Sequence, residues 1–413
     1  MSTVNPIARP RIRRLGAAAL ALGLVATACG SDDDAEPADD TAAPVDTDAA
    51  ESTDTETETE TETETGTETE TEEPAAEGAT LAELDPERCE ANRAAGTVTY
   101  LSSFDFAAAA SIIEVVVADE SGYFDDMCLD VELRPSFSTA NYTLIGSNQA
   151  QFGSAGGYTE VLNFSGEGAE FLITADFGKS SINGLVVPEG GAASLADLEG
   201  ATIGVKGDIP PSLVAMLADA GLTRGEDYDE VLLDGFDPQA HLATGIDALP
   251  VYKSNEPGQL DRAGVGYTLF DPTAEGVSGT FGLLYTSPGF AAEHPTAVED
   301  FMRAALKGME DAIADPVAAV EKSIVRIDAA GNSAFLTMEG ELFRWESELA
   351  EILASTPEGQ HVGEIDPELF AAEYESYVAA GVWPDGAPDD TSPYDASIVA
   401  GLYGDDGKVI WPN

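Results

Sequence analysis

Basic residues, histidine and cysteine are all scarce in this chain of 413 residues, which carries 18 lysines and arginines, three histidines and three cysteines against 77 acids. The formal net charge is −59. So few cations argue against nucleic acid and against an anionic membrane face as direct partners, although the same acid excess would also suit a saline habitat. His241, His294 and His361 stand far apart in sequence, and no Cys-x-x-Cys or His-x-x-x-His spacing occurs, so a metal centre has little support. Phosphate-cradling loops are lacking too: Gly204-Val-Lys-Gly207 has neither Walker nor dinucleotide spacing. Gly153-Ser-Ala-Gly156 lacks the spacing of a nucleophile elbow, and no histidine is near it in sequence. These absences point away from catalysis and imply no cofactor.

What is present begins with a targeting segment. Arg9, Arg11, Arg13 and Arg14 precede an apolar run, Leu15 to Ala28, that is too short to span a bilayer as a helix, and small residues lead to Cys29. Val25-Ala-Thr-Ala-Cys29 resembles a bacterial lipobox, which implies cleavage before Cys29 and its lipidation; a plain secretory signal cut nearby is the alternative. Residues 29–80 are then mostly Asp, Glu, Thr, Ala and Pro, and from Gly30 they hold no Lys, Arg or aromatic residue. Such a stretch cannot bury enough apolar surface to offset ordering entropy, and is expected to be a disordered acidic tether. With that stretch and the four N-terminal arginines set aside, 57 acids still face 14 bases. If Cys29 carries lipid, Cys89 and Cys128 remain as an even pair in an oxidising compartment, where a disulfide is expected and two buried thiols are the alternative.

The rest alternates strand and helix signals. Thr97 to Leu101 reads as a strand, Ser102 to Phe106 as a polar and aromatic loop, and Ala107 to Ser121 as an apolar helix ending at Gly122. Leu129, Val131 and Leu133 alternate as a second strand, Ala140 to Ala150 is a short helix, and Gln151-Phe-Gly-Ser154 runs into a loop of small residues ending at Tyr158. Further on, Ile246 to Val251 reads as a buried parallel strand, followed by Tyr252, Asn255 and Glu256 where open α/β sheets place their ligands. Pro257 disfavours helix at Glu256. The pair Pro210-Pro211 starts a helix from Ser212 to Ala220, whose first NH groups suit an electron-rich ligand atom. Between Phe335 and Val382 the aromatics are expected to pack: Phe343 and Trp345, then Phe370, Tyr374 and Tyr377.

Several of these stretches, in this order, resemble one family. They are Ala118-Asp-Glu-Ser-Gly-Tyr-Phe-Asp-Asp-Met-Cys-Leu-Asp-Val-Glu-Leu133, Gln151-Phe-Gly-Ser-Ala-Gly156, Ser194-Leu-Ala-Asp-Leu-Glu-Gly-Ala-Thr-Ile-Gly-Val-Lys-Gly207 and the helix from His294 to Pro316. Together, over about Val98 to Glu321, they resemble the periplasmic solute-binding proteins of the nitrate, sulfonate, taurine and thiamine-precursor ABC importers. The resemblance implies an α/β protein of two lobes (the type II periplasmic-binding-protein fold), with a ligand cleft between them. The first lobe is expected over residues 81–187, the second over 188–277, and a return to the first with C-terminal helices over 278–413. Hinge crossings are expected near Val186 and Gly279.

Strand ends of both lobes then supply the candidate ligand set: Phe104, Asp105 and Phe106; Ser154, Gly156 and Tyr158; Asp208 and Ser212; Tyr252, Asn255 and Glu256. Aromatic faces with a carboxylate and an amide suit a planar amino-heterocycle. The thiamine-precursor branch of the family carries Asn-Glu-Pro at this place, and there the Glu contacts the aminopyrimidine, which implies that role for Glu256. This chain departs from that branch after its first strand, where Ser103-Phe104-Asp105-Phe106 replaces a Trp-x-Pro-Asn motif. Sulfonate or nitrate would want Arg or Lys, and the cleft loops offer only Lys179, Lys206 and Lys253. The expectation is a monomeric, lipid-anchored receptor outside the cytoplasm that delivers a small nutrient to an ABC permease and is not an enzyme. An enzyme related to the eukaryotic pyrimidine synthase for thiamine, and a surface module with a vestigial cleft, are the alternatives.

Overall fold

The computed structural model describes residues 84–165, 169–332 and 336–412. The expected targeting segment, the expected lipidation site Cys29 and the expected acidic tether lie outside the described residues. In the first part come α1 (Pro86–Ala94), β1 (Thr97–Leu101), α2 (Ile113–Glu120), α3 (Tyr123–Asp126), β2 (Asp130–Arg134), α4 (Ser138–Gly146), β3 (Phe152–Ala155), α5 (Tyr158–Ser165) and β4 (Leu172–Gly178). The chain then enters β5 (Asn183–Pro188), β6 (Ala201–Val205), α6 (Pro211–Asp219), β7 (Tyr228–Leu232), α7 (Pro238–Leu242), β8 (Leu249–Tyr252), α8 (Glu256–Ala263) and β9 (Tyr267–Phe270). It returns through β10 (Phe281–Thr286), α9 (Pro288–Glu293), α10 (Pro295–Ala314), α11 (Pro316–Ala329), α12 (Met338–Ser355), α13 (Pro367–Ala379) and α14 (Ser397–Ala400). Among the described residues no helix is long and apolar enough to cross a membrane.

Two sheets of matching topology result. In one lobe the strand order is β2-β1-β3-β10-β4, and β10 runs antiparallel to both its neighbours. In the other, β8-β5-β9 is joined to β6-β7 through the parallel bridge Ile203–Ala248, and β5 runs antiparallel to β8 and β9. Each lobe thus takes its one antiparallel strand from a chain segment that has just crossed from the other. The fold is a two-lobe α/β arrangement.

Three local expectations need correction. The strand before Tyr252 is Leu249–Tyr252, and it is antiparallel to β5 because β5 is the crossing strand; only Ala248 bridges in parallel, to β6. Glu256 is helical despite Pro257, because it opens α8 and proline in a first turn removes an N–H that has no helical partner anyway. The first crossing spans Lys179 to Ile182, and Val186 lies inside β5. Gly279 of the second crossing packs against the first: an added Cβ would lie 3.1 Å from Ser181.

Helix starts are written in the sequence as Asp-Pro pairs. Asp85, Asp237, Asp315 and Asp366 each accept a hydrogen bond from a free N–H of the helix that the following proline opens. In the first lobe α10 lies directly on α2, with Gly308 at the closest point. A Cβ there would sit 2.2 Å from the Glu114 carbonyl oxygen and 2.8 Å from the Ala118 nitrogen, both backbone atoms that cannot turn away. Gly308→Ala is therefore expected to destabilise the protein by about 1–3 kcal/mol in denaturant unfolding, the usual range for overpacking. An unchanged midpoint would show that α10 can slide.

Candidate functional site

The carboxyl ends of β1, β3, β6 and β8 all open on one cleft of about 400 Å³ between the lobes. In an α/β sheet this end carries the loops and the helix starts, so exposed polar side chains collect there. After β1 come Ser103, Phe104 and Asp105; from the end of β3, Ser154, and just past it Gly156; after β6, Lys206; after β8, Ser254, Asn255 and Glu256. Helices close the rest. The turn before α2 contributes Ser111, the start of α2 contributes Glu114, and α12 contributes Arg344, Trp345, Glu348 and Ile352.

Seven of the expected residues meet here: Phe104, Asp105, Ser154, Gly156, Tyr252, Asn255 and Glu256. Four do not. Phe106, unlike the exposed Phe104, is buried in the core of the first lobe. Tyr158 is buried against Phe370, with ring centroids 4.3 Å apart, and its hydroxyl donates to Asp390. Asp208 turns outward with its side chain 95% exposed, 3.6 Å from Arg224. Ser212 is buried and accepts a hydrogen bond from the Ser181 hydroxyl at 2.9 Å, so it joins α6 to the first crossing rather than facing a ligand.

Glu256 is fully enclosed. One carboxylate oxygen pairs with Lys206 and the other accepts the Tyr252 N–H at 2.9 Å. Asn255 accepts from Arg344 at 3.1 Å and from Gln259 at 3.1 Å, and Arg344 also lies 3.3 Å from Glu341. Glu348 accepts hydrogen bonds from Ser111 and, at 2.9 Å, from Ser254, so it touches both lobes. Lys253 pairs with Glu351 at 2.7 Å and Asp271 at 3.0 Å, and lines no part of the cleft. At the mouth Phe104 meets Phe236 edge to face at 5.9 Å, an aromatic contact across the two lobes. Asp105 sits there with φ 45°, a left-handed conformation uncommon for a residue with a side chain and frequent at binding sites.

Burial governs the acids. Glu114 is pushed up to about 8, first by burial and then by the nearby Glu348. Glu348 is itself raised by burial, against the lowering effect of its Ser111 hydrogen bond, and Glu160 is raised by burial as well. Tyr252, half exposed into the cleft, is pushed up to about 12 by the surrounding protein and by the charges of Glu160, Glu256 and Glu348. Among the described residues no group of three or more His, Cys, Asp or Glu side chains could hold a metal ion. The cleft lining contains neither cysteine nor histidine.

Ser111, Glu114, Lys206, Phe236, Ser254, Arg344, Trp345 and Glu348 were not among the sequence candidates. Glu114 carried a signal, since it is the lone charged residue in the apolar run Ala107 to Ala118. Glu348 carried none, being one of several acids on a helix of mixed charge.

A family model described as NMT1/THI5 like matches residues 109–319, just over half of the chain. The riboflavin-binding protein RibY of Chloroflexus aurantiacus is 32% identical over 147 residues, which is 33% of this chain and 40% of that protein. Among solved structures, the periplasmic sulfonate-binding protein SsuA of Methylobacillus flagellatus aligns with a TM-score of 0.53 at 18% identity, covering 78% of this chain and 94% of its own. SsuA of Escherichia coli aligns with a TM-score of 0.54 at 12% identity, covering 77% and 92%. At such identities the likeness is one of fold. The chain belongs to the NMT1/THI5-like family and has the two-lobe fold of the periplasmic binding proteins.

Proposed function

We propose that this protein is the solute receptor of an ABC importer, held outside the cytoplasm by lipid on Cys29, and that it captures an amino-heterocycle such as a thiamine pyrimidine precursor. The observation that carries the ligand class is the charge of an aromatic cleft. Asp105, Glu114, Glu160, Glu256 and Glu348 line it against only Lys206 and Arg344. Both cations are engaged by protein groups, Lys206 by Glu256 and Arg344 by Asn255 and Glu341. A sulfonate or nitrate would therefore find no uncommitted cation to balance its charge. A neutral or amino-bearing ring would instead find the faces of Phe104 and Tyr252 and several hydrogen-bonding edges. Riboflavin, the ligand in the name of the Chloroflexus relative, is also a planar uncharged heterocycle and belongs among the compounds to try. A catalytic reading gains nothing from these side chains, since Lys206 is ion-paired and the lining offers no thiol or imidazole.

Native mass spectrometry of the gently purified protein tests this: a co-purified aminopyrimidine or related heterocycle is expected, and a co-purified sulfonate would replace the ligand class while keeping the receptor. Glu256→Gln should weaken heterocycle binding by roughly 1.5–3 kcal/mol, the range for a hydrogen bond to a charged group, read by calorimetric titration. The loss would follow from freeing Lys206 and the Tyr252 N–H, which fix the loop after β8. Unchanged affinity would remove Glu256 from the site.

A further inference from the structure

The strand-end loops account for only part of the cleft. Past them it runs into the hydrophobic core of the first lobe, where Ile112, Phe177, Phe281, Met309, Trp345 and Ile352 line it. None of the six is more than 5% exposed. They come from the turn before α2, from the hinge ends of β4 and β10, and from α10 and α12. Protein interiors are close-packed, so core side chains that border open space are unusual and costly. This wall is also fixed in place. The Phe281 ring lies over Gly178, its partner in register on β4, where an added Cβ would collide with it. The Trp345 indole N–H donates to the Ala312 carbonyl at 3.1 Å, which leaves that ring no donor for the cavity. Glu348 and Glu114 lie on the same wall and are engaged as well: Glu348 accepts from Ser111 and Ser254, and the Glu114 carboxyl accepts from its own backbone N–H.

We propose that the core end of the cleft is a subsite for an apolar aromatic ring, and that the ligand is a heterocycle fused to such a ring rather than a single pyrimidine. The inference deepens the heterocycle reading above and rests on it. Strand-end loops supply hydrogen-bonding groups for the heterocyclic part, and the core end supplies none that is free. A cavity lined by apolar side chains stays dry, so a ring that enters it displaces no well-bonded water and gains dispersion contact on every side. Phe177, Phe281 and Trp345 offer aromatic faces and edges, and Met309 a polarizable thioether, all of which favour an aromatic occupant. Size agrees. The cleft of about 400 Å³ falls within the range of about 300–1,000 Å³ that drug-sized ligands occupy, and a single pyrimidine held at the strand ends would leave the core end empty.

The test is calorimetric titration of the full protein with two matched pairs of compounds: 4-amino-2-methylpyrimidine with 4-amino-2-methylquinazoline, and pteridine-2,4-dione with its benzo-fused counterpart alloxazine. Within each pair the difference is one fused benzene ring. In at least one pair the benzo-fused member is expected to bind at least tenfold more tightly. Ile112→Phe and Ile352→Phe, which add bulk at the core end, should each cut that advantage to less than threefold. Thermal melts show which variants fold, and the wild-type comparison depends on neither. If compounds bind but no pair shows the tenfold advantage, the inference is overturned and the heterocycle reading stands. Folded variants that keep the full advantage lead to the same conclusion. A wild type that binds none of the four compounds overturns both.

Discussion

Replacing Cys89 and Cys128 together by serine is expected to lower the unfolding free energy by about 4 kcal/mol, the chain-entropy value for a closed loop of about 40 residues. The two cysteines are bonded in the structure, 39 residues apart in sequence. The loop they close contains β1, the strand between β2 and β3, and α2, which carries Glu114 and packs on α10. The native state has other means of holding α1 in place: Arg88 pairs with Asp300 at 2.6 Å, and Asn92 donates to the Met127 carbonyl at 2.8 Å and to Asp300 at 2.7 Å. With those contacts kept, the lost bond acts chiefly on the unfolded chain, which gains the freedom the loop denied it. Denaturant unfolding at fixed pH measures the difference. A loss below about 1 kcal/mol would mean that α1 detaches separately and that the bond secures only that helix.

How much of this was legible in the sequence depended on where a residue lay. Strand ends were readable, because a short apolar run that stops at small, polar or aromatic residues announces both the strand and the loop after it. Phe104, Ser154, Tyr252 and Glu256 were found that way. Direction was harder. Phe104 and Phe106 are two residues apart, yet one is 45% exposed at the cleft and the other is buried in core, because the intervening Asp105 adopts a left-handed turn that breaks strict alternation. Ser212 and Asp208 flank the turn after β6, and nothing in composition says that one faces a hinge crossing and the other solvent. The helical contributions were least visible. On α12 the face that meets the cleft and the face that meets the core follow the same period, so Trp345 reads as packing, and it does pack, but its edge is also a wall of the cleft. The crossing of β5 into the other lobe's strand direction is a long-range feature, and no local pattern distinguishes it from a parallel neighbour.

The acids that shape the cleft and the hinge should also govern how the protein responds to pH, and the expected result is a stability that falls as pH rises from about 5 to 8. Glu114 is raised from 4.5 to about 8 and Glu373 from 4.5 to about 7, in each case chiefly by burial. Between the ordinary value and the raised one the folded protein holds a proton that the unfolded chain has released, so each pH unit crossed costs the native state about 1.4 kcal/mol per such group. Below about 4.5 both states are protonated and the penalty vanishes; above the raised value it is complete. Asp311, which Lys307 and Tyr123 hold below the ordinary 3.8 in spite of burial, titrates at more acid pH and leaves this window unaffected. Glu373 matters for a structural reason as well. Its carboxyl accepts from Thr159 on α5 and from Thr280 on the second crossing, while α13, which carries it, places Phe370 in the core of the first lobe and Tyr377 in that of the second. Urea unfolding at pH 5, 6.5 and 8 at constant ionic strength measures the slope, and Glu114→Gln isolates one contributor: the variant should be more stable than wild type at pH 8 and close to it at pH 5. Stability that rises across the window, or a variant no different from wild type at pH 8, would show that Glu114 is ionised without penalty in the native cleft.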